Sequence, residues 1–75
     1  MNIAEVIAEV RKRIAGLVAC EIKHMGAQGG YFLCKWKGSL RCMFFQMPNA
    51  YIAAMAGKTP EMWVANSIAH DLQHE

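Results

Sequence analysis

Residues 31–46 constrain the fold more than any other part of this chain. Two aromatic-rich runs, 31–36 and 40–46, flank Lys37-Gly38-Ser39, a short link that carries a glycine. Such a pattern predicts a β-hairpin. A three-residue link pairs Trp36 with Leu40 and Cys34 with Cys42. Successive side chains on a strand point to opposite faces. One face then carries Phe32, Cys34, Trp36, Leu40, Cys42 and Phe44, an apolar surface suited to packing on helices. The other carries Tyr31, Leu33, Lys35, Lys37, Arg41, Met43 and Phe45, with three positive charges toward the tip. A two-residue link would shift the register and break this pairing.

A further strand is expected over residues 18–25, with Val18, Cys20, Ile22 and His24 on one side and Ala19, Glu21, Lys23 and Met25 on the other. Gly26-Ala27-Gln28-Gly29-Gly30 reads as the turn that joins it to the hairpin, since three glycines in five residues disfavour regular structure.

The flanking segments carry helical periodicity. Ile3, Val6, Ile7, Val10, Ile14 and Leu17 recur at three- and four-residue steps and share one face. Asn2 is placed to cap this first helix, with Glu5 as a capping-box partner. Arg11, Lys12 and Arg13 fall late, which suits the helix dipole. After the hairpin, Pro48 suits a first helical turn, residues 50–56 form a short Ala-rich helix, and Gly57 ends it. Thr59-Pro60-Glu61 is a restart signal: a capping hydroxyl, a proline at the first position and an acid at the positive end. The final helix places Met62, Val64, Ala65, Ile68, Ala69 and Leu72 in one arc, with Trp63, Asn66, Ser67, His70 and His74 opposite. The expected fold is therefore α+β: a three-stranded antiparallel meander packed on one face by helices, in the order α-β-β-β-α-α, forming a single domain over residues 1–75.

Several classes of function are disfavoured by composition. The longest uninterrupted apolar run, residues 50–56, is far short of the ~20 residues of a membrane span. The N-terminus lacks the pattern of a signal peptide. The three cysteines are an odd number and are read as reduced thiols in a cytoplasmic protein. The net charge of +2 is uneven: residues 1–45 carry seven Lys/Arg against three Glu, whereas residues 46–75 carry Lys58 against Glu61, Asp71 and Glu75. This imbalance is too weak to require an anionic partner. A domain this small buries only ~60% of its unfolded surface. With 55% of its residues apolar, it is expected to leave apolar surface for a partner to cover.

No catalytic constellation survives inspection. Cys34, Cys42, His70 and His74 have the residue types of a tetrahedral zinc site. The cysteines are nevertheless expected on the hairpin's apolar face and the histidines on the outer face of the last helix, so no metal or other cofactor is assigned. Cysteines on strands, away from helix N-termini, lack the setting that activates a thiolate. The six acids are scattered. Gly57-Lys58-Thr59 echoes the end of a phosphate-binding loop, but Ile52 stands where that motif needs glycine and Pro60 removes an N–H.

The expected function is thus non-enzymatic: a protein-interaction module, of the size of small stoichiometric regulators or inhibitors carried by phages, docking on a larger protein or complex. Trp63, a residue type enriched at binding hot spots, would anchor it, with Asn66, His70, His74 and Tyr51 around it. A homodimer is compatible with this. The alternative is a nucleic-acid-binding domain that uses Lys23, Lys35, Lys37 and Arg41 on the open sheet face, with Tyr31 and Phe45 between them.

Overall fold

The computed structural model describes residues 1–74, with Ala50 given by its backbone alone. The chain begins with helix α1 (Ile3–Arg13). The Asn2 side chain accepts from the Glu5 N–H at 3.1 Å. The reciprocal half of the expected capping box comes from elsewhere: the Asn2 N–H donates to the Glu61 carboxylate, at 2.8 Å, from the first turn of the last helix. That bond is the main cause holding the Glu61 carboxyl below its ordinary range. Val6, Val10, Ile14 and Leu17 are buried, as their spacing predicts, while Ile3 stays exposed.

The strands β1 (Val18–Gly26), β2 (Gly29–Trp36) and β3 (Ser39–Gln46) form one antiparallel sheet in chain order. The expected register of the hairpin is wrong by one residue. The link is two residues long, so Trp36 pairs with Ser39, Cys34 with Arg41, and Leu33 with Cys42. Lys37 and Gly38 both have positive φ, 52° and 79°. This is the turn whose twist matches that of the strands it joins. The shift reverses β3: Arg41, Met43 and Phe45 turn toward the helices, and Leu40, Cys42 and Phe44 turn away.

Strand β1 also departs from simple alternation. Bulges interrupt its pairing between Val18 and Glu21 and between Lys23 and Gly26, with Ala19 and His24 at positive φ. Cys20, Ile22 and Met25 consequently pack toward the core. Val18, opposite Lys35, stays exposed, and the ring of His24 lies against Tyr31 on the uncovered side. Gly29 lets β3 approach, since a Cβ there would overlap the Phe45 carbonyl oxygen, and Gly30 lets β1 approach, since a Cβ there would crowd the Lys23 carbonyl oxygen.

Helix α2 (Ala50–Met55) is capped by Asn49, which leaves Pro48 just before the cap rather than in the first turn. Helix α3 (Pro60–Gln73) starts as Thr59-Pro60-Glu61 predicts, with the Thr59 hydroxyl accepting from the Met62 N–H at 3.2 Å. Its inner side, Val64, Ala65, Ile68, Ala69 and Leu72, is buried. With Val6 and Val10 of α1 and with Phe32, Cys34, Met43 and Phe45 of the sheet, it makes a single core cluster. Each large side chain buried there contributes about 1.5–3 kcal/mol. The protein is therefore an α+β fold with its helices on one face of an open three-stranded sheet.

Candidate interaction surface

The helices α1 and α3 pack on the face bearing Phe32 and Phe45, which leaves the opposite face of the sheet bare. On that face Leu40 is 84% exposed, Val18 54%, Phe44 49% and Tyr31 41%. Its two ends differ. At one end an aromatic row crosses all three strands: His24 lies edge-on to Tyr31 at 6.1 Å between centroids, and Tyr31 is tilted against Phe44 at 5.4 Å. At the other end Ala19, Glu21, Leu33, Leu40 and Cys42 line a shallow depression of about 370 Å³, which Cys34 and Arg41 also border although the register turns them to the helix side. Charge is sparse. Lys23 lies 3.5 Å from Glu21, and Lys35 is exposed beside Val18.

Two members of the expected basic cluster behave differently. Lys37, at the turn, places its ammonium 4.4 Å from the centre of the Trp36 ring. Arg41 leaves the open face because of the register shift, and its guanidinium lies 5.7 Å from the same ring on the helix side. Trp36 donates to the Ala15 carbonyl at 3.2 Å, which ties the hairpin tip to the end of α1. Phe45, expected between the basic residues, is buried. Lys23, Lys35, Lys37 and Arg41 therefore do not share a face.

The Trp63 group is divided as well. Trp63 is half-buried, packs against the core cluster, and lines a second depression of about 310 Å³ with Ala56, Lys58, Asn66 and Ser67. Asn66 accepts from the Arg13 guanidinium, which also donates to the Glu9 carbonyl at 2.7 Å and to its carboxylate at 2.8 Å. This clamp joins α1 to α3, and with Lys12 it draws the Glu9 carboxyl below its ordinary range, Arg13 having the larger effect. His70 and His74 are exposed further along α3, their rings 4.2 Å apart, and Tyr51 is exposed on α2.

The cysteines do not converge. Cys34 is buried under the sheet and Cys42 is exposed above it, because the register places them on opposite faces. Burial pushes the Cys20 thiol up. Among the described residues, no group of three or more His, Cys, Asp or Glu is placed to hold a metal ion. Likewise, no helix among them is long and apolar enough to cross a membrane.

A three-residue link would place the exposed apolar set Leu40, Cys42 and Phe44 in the core. The signal that finds it is local: a lone glycine at the second position of a two-residue turn, with a residue before it that must also accept positive φ. Comparison with family models, with curated proteins and with solved structures returns no match to this chain.

Proposed function

We propose that the protein is a non-enzymatic docking module that binds a larger protein through the open face of its sheet and acts as a stoichiometric regulator or inhibitor. The observation that supports this is the bare apolar face itself. Val18, Tyr31, Leu40 and Phe44 lie on one side of three paired strands with no helix over them. A contiguous apolar patch on a small protein is characteristic of surface meant to be covered. The face suits a partner whose contact surface is mainly apolar, since its charges are few: Lys35 beside Val18 and the Lys23–Glu21 pair. In a reducing compartment such as the cytoplasm, Cys42 would contribute to the patch as a thiol.

The aromatic row favours a second reading, in which His24, Tyr31 and Phe44 stack on a single-stranded nucleic acid. Its basic support is thin, because Lys23 already faces Glu21. The two readings separate in one experiment. The tag-captured protein and its L40K/F44K variant are compared for bound partner, with and without nuclease and over a range of salt. Docking predicts a defined protein partner that resists nuclease and is lost in the variant, while the variant's thermal melt matches the wild type. Binding that is abolished by nuclease and falls steeply with salt moves the assignment to nucleic acid. Retention of the partner by the variant removes the open face from consideration. A melting temperature that rises with concentration identifies the partner as a second copy of the chain.

A further inference from the structure

We propose that His70 and His74 form a chelating site for one divalent transition-metal ion of the imidazole-preferring class (Cu²⁺, Ni²⁺ or Zn²⁺) on the outer side of the last turns of α3. Residues four apart on a helix stand one above the other. The same four-residue spacing of histidines on a helix is what holds zinc in metallopeptidase helices. Here the spacing is maintained by the backbone, where the His74 N–H donates to the His70 carbonyl at 3.1 Å.

The ring geometry agrees. An ion about 2.0–2.1 Å from a nitrogen of each imidazole holds the ring centres roughly 4.5 Å apart when those nitrogens take adjacent corners of a square or octahedral arrangement. The observed separation is 4.2 Å, with the rings tilted by 37°. Both side chains are exposed and neither belongs to the core, so packing does not hold the rings against rotation toward a shared ion.

Two further features favour a cation there. The Asp71 carboxylate lies 3.7 Å from Nδ1 of His70. At that distance the carboxylate is a nearby negative charge that favours a cation on the imidazole pair. The site also sits at the C-terminal end of α3, where the helix dipole is negative. No third His, Cys, Asp or Glu joins the pair among the described residues. The remaining coordination positions are therefore left to water or to a donor from another molecule. Two neutral imidazoles with open positions follow the usual order of divalent affinity, in which Cu²⁺ exceeds Ni²⁺ and Zn²⁺. The pair is carried on the outer side of α3, whose inner side faces the core, so this site is separate from the open sheet face.

The test uses tag-free protein with Ni²⁺, which thiols do not reduce. Thermal unfolding is followed during titration with Ni²⁺ and then with EDTA. Wild-type protein is expected to melt at higher temperature as Ni²⁺ rises, by an equal step for each tenfold increase once the site is saturated. EDTA should reverse the shift. His70→Ala and His74→Ala should each abolish it, while His24→Ala and Cys42→Ser keep it. In backbone amide spectra, paramagnetic broadening by Ni²⁺ should be confined to the last turns of α3. A melting temperature indifferent to Ni²⁺, a shift that survives His70→Ala, or broadening centred on Cys42 would overturn the proposal.

Discussion

Phe32 and Phe44 belong to the same hairpin, one pair apart in its register, yet Phe32 is 0% exposed and Phe44 is 49% exposed. The two faces of the sheet repeat this contrast along its length. Phe32, Cys34, Met43 and Phe45 lie under α1 and α3. Tyr31, Leu33, Leu40, Cys42 and Phe44 are hardly less apolar, and among the described residues no helix lies over them. Composition does not separate the two sets. What separates them is strand parity and the supply of helices: α1 and α3 together cover one face of three strands, and the short α2 covers none of the other. Among the described residues α1 and α3 make one helical layer, which leaves the second apolar face uncovered.

The contrast yields predictions of decreasing size. Phe32→Ala should remove about 3–5 kcal/mol of stability, a large share of the 5–15 kcal/mol available to a small domain. Chemical denaturation measures this, and a loss below about 1 kcal/mol would break the distinction between the faces. Gly29→Ala should be the next most damaging. Gly29 has φ of 139°, and the new Cβ would meet the Phe45 carbonyl oxygen. A strained backbone of this kind costs about 1–3 kcal/mol, with the steric overlap in addition. The same denaturation assay, with amide exchange at the edge of β3, checks it.

On the open face, Leu40→Lys should change stability by no more than about 0.5 kcal/mol, as for surface positions generally. It should also lessen self-association at high concentration while weakening capture of the partner. Were Leu40→Lys to unfold the protein, the open face would be a second core. The smallest effect is electrostatic. Glu9, held by Arg13 and Lys12, has its carboxyl lowered from an ordinary value of 4.5. A carboxylate depressed in the folded state contributes stability that is present above its unfolded value and is lost as pH falls through the folded one. Thermal melts from neutral to acidic pH should therefore decline less steeply for Glu9→Gln than for the wild type. An equal decline would show that Arg13 and Lys12 do not hold the Glu9 carboxyl below its value in the unfolded chain.

Much of the architecture is legible along the chain, because it rests on interactions between near neighbours. The three- and four-residue rhythm of Val6, Val10, Ile14 and Leu17 marks the buried side of α1. Asn2 and Thr59 mark helix starts, and Gly57 a helix end, through bonds spanning only a few residues. The buried arc of α3 follows from the same periodicity. The open apolar face is far less legible. Its members come from three strands, and each reaches the face through a decision worth a single residue. Lengthening the Lys37-Gly38 link by Ser39 sends Leu40, Cys42 and Phe44 to the core. Ignoring the bulges at Ala19 and His24 misplaces Val18, Met25 and His24. The Trp63 group was found by helical periodicity, yet its periodicity carries no sign that Arg13 of α1 would occupy Asn66.

The sequence by itself determined the number, type and order of the elements, because capping, turn residues and apolar rhythm act within a few residues and are present in the unfolded chain. Only the tertiary structure decided which side of each strand became core. That choice depends on the twist of the two-residue turn, which acts locally, and on the bulges that let β1 follow β2 and the face that α1 and α3 cover, which are energies shared between residues distant in sequence. A shift of one residue exchanges the faces of a strand without changing any local preference. The open apolar stripe therefore follows from one local turn together with packing contacts that lie far apart along the chain.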